Sequence, residues 1–321
     1  MLPITATFLD EISHDIPHQN WGSKEWDQDF AHMKRMGIDT VVLIRCGYKK
    51  WMTYPSKYLM DNEGVYRPPT DLVAMFLALA EKYGMQFYFG LYDSGKYWWE
   101  QGDFQKEVDI NLRVIDEVWE KYGNAPAFRG WYLSQEVSRK TGDIMSLYAR
   151  LGKHCKAVSN NLPTLISPYI DGKKAILSNQ SKLTKADHIT IQQHEKDWNE
   201  ILDRIQGAVD ILAFQDGHVD YHELASYFSI NKKLADRYGM SCWTNAESFD
   251  RDMPIKFLPI KWEKLLLKLE AAQKAGLEKA ITFEFSHFMS PQSAYVQAHH
   301  LYNRYLEGLE KIKDYGFMII D

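Results

Sequence analysis

The chain is poor in cysteine. Its three, Cys46, Cys155 and Cys242, are an odd number at wide spacings, which excludes a disulfide scaffold, and no pair has zinc-ligand spacing. Cys46 and Cys242 lie in apolar, strand-like runs and read as core residues. There is no block of basic residues and the formal net charge is −5, so the electrostatic footprint of a nucleic-acid binder is missing. No apolar run approaches the roughly 18 residues of a membrane span. No glycine-rich phosphate turn follows any strand-like run, which argues against an open, doubly wound dinucleotide-binding sheet. No cofactor is expected. The first residues, Met-Leu-Pro-Ile-Thr, read as the start of a strand rather than as a signal peptide. A periplasmic or secreted location stays open if a leader has been removed. Oligomeric state cannot be read.

What is abundant is aromatic. The 321 residues include 10 Trp, 19 Tyr and 15 Phe, within an otherwise ordinary 45% hydrophobic and 25% charged composition. Many fall at strand ends or in loops: Tyr48, Trp51, Tyr54, Tyr92, Tyr97, Trp98, Trp99 and Trp243. Aromatic faces either stack on the C–H faces of sugars or fill a large core. For the clustered loop aromatics, sugar contact is the favoured reading.

Eight β-rich runs alternate with helical patterns at intervals of roughly 35–40 residues. The runs cover 4–10, 40–46, 86–91, 128–135, 164–170, 210–214, 240–244 and 279–284. Helices are expected over 26–36, 71–83, 104–122, 143–160, 198–205, 221–238, 260–275 and 292–308. Glycines 37, 84, 239 and 276 stand where helices should stop. Near-continuous apolar strands suit a sheet buried on both faces. Eight such units predict an α/β fold, a (β/α)8 TIM barrel, in a single domain over 1–321. The segment 47–69 reads as a long functional loop. The segment 171–197 reads as loop with a possible short strand at 189–193. The tail 315–321 is apolar enough to dock.

In such a barrel the carboxyl ends of the strands share one rim, where chemistry is done. Acidic strand-end residues are Asp10, Asp93, Glu136, Asp216, Glu247 and Glu284, with Arg45, Gln135, Tyr169 and Asn245 among their polar companions and Tyr92 and Trp243 alongside. Clustered carboxylates repel, which raises some pKa values and suits acid/base work. Strands four and seven lie across the barrel. A carboxylate from each can flank a glycosidic bond, one protonating the leaving oxygen, the other attacking the anomeric carbon or activating water. Blander roles stand beside these. Glu136 or Glu247 could open a helix, Asp216 could form a turn before Gly217, and Tyr169 could simply pack.

The stretch Phe128-Arg-Gly-Trp-Tyr-Leu-Ser-Gln-Glu136 and the stretch Trp243-Thr-Asn-Ala-Glu247 resemble strands four and seven of clan A retaining glycoside hydrolases. More closely, the chain resembles a family of uncharacterised glycoside-hydrolase-like (β/α)8 barrels, a domain of unknown function. The clan commonly has Asn-Glu on strand four, where this chain has Gln135-Glu136. The resemblance implies Glu136 as acid/base and Glu247 as nucleophile, with carboxyls about 5–5.5 Å apart. Gln135 and Asn245 would hold substrate hydroxyls or orient the carboxylates, and Tyr169 would bond the nucleophile. Asp10, Arg45, Tyr92, Asp93, Asp216, Trp243 and Glu284 complete the expected carbohydrate-binding rim. Glu284 is a third carboxylate that the pattern does not require.

Two other readings remain. A metal-dependent sugar isomerase or epimerase would bring Glu136, Asp216, His218, Glu247 and Glu284 to one ion. A glycan-binding barrel without catalysis would keep the rim aromatics but mispair the carboxylates.

Overall fold

The structure is a computed structural model. It describes every residue except 14, 15, 17, 173, 175–188, 252–256 and 318–321, and residues 311–317 by backbone alone. Eight strands close into a barrel: β1 (Ile4–Leu9), β2 (Thr40–Leu43), β3 (Gln86–Gly90), β4 (Phe128–Tyr132), β5 (Thr164–Ile166), β6 (Ile211–Gln215), β7 (Ser241–Glu247) and β8 (Lys279–Phe283). Each pairs in parallel with its neighbours in sequence, and β8 closes on β1. The helices between them are α1 (Ser23–Met36), α2 (Leu72–Tyr83), α3 (Phe104–Tyr122), α4 (Ile144–Val158), α5 (Ile191–Ile205), α6 (Leu224–Tyr238) and α7 (Trp262–Lys274); α8 (Val296–Phe317) follows β8. This is a (β/α)8 barrel, as the alternating apolar pattern predicts.

Successive strand residues point to opposite faces, so the apolar residues separate into two cores. Inside the barrel pack Phe8, Val42, Ile44, Tyr88, Tyr132, Leu165, Trp243 and Ile281. Phe8 meets Tyr132 edge-to-face, with ring centroids 5.2 Å apart. Outside, a larger core joins the strands to the helices. Gly130 is required by the inner layer: a Cβ there would lie 2.2 Å from the ring of Tyr88. Helix ends follow local chemistry. The Asp71 carboxylate accepts from the Ala74 amide at 3.0 Å to open α2, and Gly84 ends it in the left-handed region.

Four segments differ from their sequence patterns. The expected loop 47–69 contains a two-residue hairpin, Gly47–Tyr48 against Trp51–Met52, and a helix, Lys57–Glu63, capped by Ser56. These elements are too short for a readable periodicity. Where 171–197 reads as loop with a possible short strand at 189–193, residues 191–193 instead open α5. Thr190 accepts from the Gln193 amide at 3.1 Å, and His194, Trp198, Ile201 and Leu202 bury one helical face. The polar residues of its outer face hid that start; most of the rest of 171–197 lies outside the described residues. Strand β7 continues through Asn245 and Ala246 to Glu247 rather than stopping at Thr244. Helix α8 runs on past Gly308, where a Cβ would lie 2.6 Å from the Trp262 ring, and reaches Phe317. Part of the expected docking tail therefore continues the helix, and 318–321 lie outside the described residues. All three cysteines are free and buried. Among the described residues no helix is long and apolar enough to cross a membrane.

Candidate active site

The carboxyl ends of the strands open into a cavity of about 320 Å³. Glu136 follows β4 and Glu247 ends β7; both line it. So do Arg45, Asp93, Tyr169 and Asn245 from the expected set, with Ser134, Gln215, Arg251, Trp98 and Trp99.

The two glutamates sit in opposed environments. Glu136 is half-buried, and its Oε1 accepts from the Tyr132 hydroxyl at 2.8 Å. Gln215 adds a second side-chain hydrogen bond. Burial nevertheless dominates and pushes the Glu136 carboxyl above its ordinary value, against the pull of the Arg45 charge. Glu247 is 2% exposed. Burial would raise it too, but here the neighbouring cations win. Arg251 donates Nε to Oε2 and Nη2 to Oε1, both at 2.7 Å, and Lys268 adds its charge, so the carboxyl is held below its ordinary value.

The support of Glu247 is dense. Its backbone amide donates to Asp216 Oδ1 at 3.2 Å, and Lys268 bridges Asp216 Oδ1 at 2.7 Å to the Glu247 carbonyl at 3.0 Å. Gly217 makes room: a Cβ there would lie 1.8 Å from Glu247 Oε2. Burial and the Arg251 charge lower the neighbouring His218 to about 4 and keep it neutral at pH 7.

On the β2 and β3 side, Arg45 faces Asp93 Oδ2 at 3.8 Å. Burial would lower the Arg45 pKa, but Asp93, Glu136 and Asp10 together raise it, so its charge is secure. Asp93 Oδ1 accepts from Trp98 Nε1 at 2.8 Å and from the Gly95 amide at 2.9 Å, which fixes the indole beside the cavity. Asn245 donates Nδ2 to Ser167 at 3.0 Å, while its buried Oδ1 and the buried Ser134 hydroxyl have no partner among the described residues. Unpaired buried polar atoms on a cavity wall are donors and acceptors held ready for a polar ligand.

Six expected contacts stand behind the wall instead. Asp10 Oδ1 accepts from the amides of Ile12, at 3.1 Å, and Ser13, at 2.9 Å. The Tyr92 hydroxyl donates to the Lys49 carbonyl at 2.6 Å. Gln135 Nε2 is turned to the Tyr92 carbonyl and to Glu107, each at 3.0 Å. Asp216 holds Lys268, and Trp243 belongs to the inner barrel core. Glu284 is fully buried and pairs with the His287 ring, capping the short helix Phe285–Phe288. Tyr169 lines the cavity, but its side chain hydrogen-bonds with Ser138, and Arg251 rather than Tyr169 takes both Glu247 oxygens. The acids expected to meet at one metal ion thus have separate partners. Among the described residues, the ligand atoms that converge within 4.8 Å are those of Asp220, His222 and Glu223.

Sequence reading missed Arg251, Lys268, Ser134 and Tyr132. Lys268 left one signal: it lies on the buried face of α7 with Leu265, Leu269 and Ala272, where an unpaired ammonium would not be tolerated.

A closed parallel barrel with acidic residues around a cavity at the carboxyl ends of its strands has the architecture of barrel enzymes, whose active sites lie at that end. Residues 4–295 match the family described as "Domain of unknown function (DUF4434)", and the chain belongs to it. It is 64% identical to a candidate alpha-L-fucosidase from Bacteroides thetaiotaomicron VPI-5482 of known crystal structure, over 96% of this chain and 94% of that one, with a TM-score of 0.91. Two more distant structures share the fold. They are a hyperthermostable endo-1,4-beta-D-mannanase from Thermotoga petrophila RKU-1 (12% identity, 88% and 87% of the two chains, TM-score 0.54) and an intracellular xylanase from Thermoanaerobacterium saccharolyticum JW/SL-YS485 (11%, 88% and 88%, 0.51). No protein of curated function matches the chain. These structural neighbours carry the names of glycoside hydrolases, and the chain shares their barrel fold.

Proposed function

We propose that this protein is a retaining glycoside hydrolase with Glu136 as acid/base and Glu247 as nucleophile. The observation that carries this reading is the opposed charge bias of the two carboxyls in one cavity, Glu136 raised and Glu247 lowered. Two carboxyls driven apart in this way divide into a proton donor and an anion at the same pH. Glu136 gives its proton to the leaving oxygen while a Glu247 oxygen bonds to the anomeric carbon and the glycosidic C–O bond breaks. Glu136, now ionised, takes a proton from water as the water oxygen attacks that carbon and releases Glu247. Arg251 occupies one lone-pair site on each Glu247 oxygen and leaves the others for the sugar.

Arg45, Asp93, Ser134, Tyr169 and Asn245 would meet the substrate hydroxyls, and Trp98 and Trp99 its C–H faces. The substrate is read as uncharged. Arg45 already faces Asp93, Glu136 and Asp10, and Arg251 is spent on Glu247. The name of the 64% identical relative puts alpha-L-fucosides first among those to try.

The test is a panel of 4-nitrophenyl glycosides, alpha-L-fucoside included. Glu136→Gln and Glu247→Gln are each expected to lower kcat by about 10²–10⁴-fold. Proton NMR of the first anomer released should show retention. Full activity in either variant would refute the assignment. Sugar binding without turnover in the wild type would make the protein a glycan-binding barrel.

A further inference from the structure

The hairpin after β2 carries an aromatic strip that the cavity alone does not explain. Tyr48 lines the cavity, and Trp51 is its directly paired partner across the hairpin. Paired residues in an antiparallel ladder project to the same face, roughly 4.5–5.5 Å apart at Cβ. Trp51 therefore extends the surface that Tyr48 begins. Tyr66 continues it, meeting Trp51 edge-to-face with ring centroids 5.3 Å apart. Its amide donates to the Lys50 carbonyl at 2.8 Å, which pins it beside the hairpin. Trp51 is 61% exposed and Tyr66 53%. Trp99, also 61% exposed, lines the cavity from the helical turn Lys96–Gln101, and a Lys49–Glu100 ion pair ties that turn to the hairpin.

We propose that Trp51 and Tyr66 form an outer carbohydrate subsite, a stacking platform that continues from the cavity through Tyr48 and receives the sugars of an oligosaccharide beyond the scissile bond. This deepens the glycosidase reading and rests on it. A pair of rings rimmed by Lys49 and Lys50 is far smaller than the roughly 800 Å² per partner of a stable protein interface. The Trp51 and Tyr66 rings are inclined at 66° with centroids 5.3 Å apart, and Lys50 Nζ lies 5.8 Å over the Tyr66 ring, so a neutral sugar chain would lay a C–H face on the exposed Trp51 ring, meet Tyr66 beside it and keep its hydroxyls in water. The platform makes the natural substrate longer than one sugar.

The experiment compares wild type with Trp51→Ala and Tyr66→Ala, whose exposed positions leave folding intact. The probes are 4-nitrophenyl monosaccharides and neutral oligosaccharides of three to six sugars, namely cello-, manno-, xylo- and fucosylated lactose-type chains. For the oligosaccharide cleaved best, Trp51→Ala should raise KM about tenfold, the loss of one aromatic contact. Its kcat, and both constants for the monosaccharide, should stay within about twofold. Equal effects on long and short substrates, or none on either, would overturn the platform while leaving the glycosidase reading intact. If wild type cleaves nothing, the glycosidase reading fails first and calorimetric binding decides the platform. Oligosaccharide binding lost in Trp51→Ala supports it; unchanged binding, or no binding by wild type, overturns it. A wild-type oligomer that Trp51→Ala converts to monomer would reassign the strip to a protein interface.

Discussion

Arg251 grips both carboxylate oxygens of Glu247, each at 2.7 Å, from four residues further along the chain. Burial favours the neutral form of Glu247, and Arg251 supplies the largest of the opposing effects. The pair is thus the device that keeps the proposed nucleophile charged in a water-poor cavity. The proposed reaction needs Glu247 ionised and Glu136 protonated, so activity should rise as pH passes the lowered Glu247 value and fall as it passes the raised Glu136 value. In Arg251→Met the acid limb should move to higher pH while the basic limb stays, narrowing the bell. A pH profile of kcat/KM checks this, and an unmoved acid limb would show that Arg251 does not set the charge of Glu247.

Gly217 should tolerate no side chain. The methyl of Gly217→Ala would fall 1.8 Å from Glu247 Oε2, and near Arg251 as well. Something must move, and the flexible Glu247–Arg251 pair will yield before the barrel does. Expected is a loss of at least about 10²-fold in kcat, the scale of a misplacement of roughly 1 Å, with a far-UV spectrum and melting temperature close to wild type. Loss of fold together with activity would instead make Gly217 a structural glycine.

Lys268 joins the end of β7 to the loop after β6 by bonding Asp216 and the Glu247 carbonyl. Lysine and aspartate here are both almost wholly buried. Removing one partner strands the other charge, so Lys268→Met should cost roughly 3–5 kcal/mol of stability. The double variant Lys268→Met/Asp216→Leu should recover much of that loss, and a denaturant titration of wild type and the two variants separates pair from burial. Equal stability of single and double variants would show that the stranded charge is not the cause.

The sequence disclosed the barrel because its strands are buried on both faces and its helices carry ordinary starts and stops, as at Asp71 and Gly84. It brought Glu136 and Glu247 to one cavity because strand ends share one rim. It concealed the partners that decide their charge. Arg251 comes from a loop whose path no periodicity records, and the Tyr132 hydroxyl meets Glu136 from four residues back, beyond the end of β4. Gln135 shows the opposite failure. It stands beside Glu136 in sequence, yet its amide points away from the cavity to Glu107 and the Tyr92 carbonyl.

Glu107 offers a test of that second layer through pH. It is fully buried on α3, where its carboxyl accepts from the Ser94 amide at 3.2 Å, from the Ser94 hydroxyl and from Gln135 Nε2 at 3.0 Å. Burial outweighs these bonds and raises it from 4.5 to about 7. A carboxyl whose folded value is raised favours folding only while protonated in the fold. Its contribution is fully present below about 4.5 and is lost as pH rises through about 7. The amide of Glu107→Gln can keep both acceptor contacts on its oxygen and carries no charge, so it mimics the neutral carboxyl at every pH. Melting curves from pH 5 to 9 should find the variant close to wild type at the acid end and more stable above pH 7, by roughly 3 kcal/mol at most. Parallel melting curves across that range would mean that Glu107 stays ionised in the fold and that its three donors outweigh its burial.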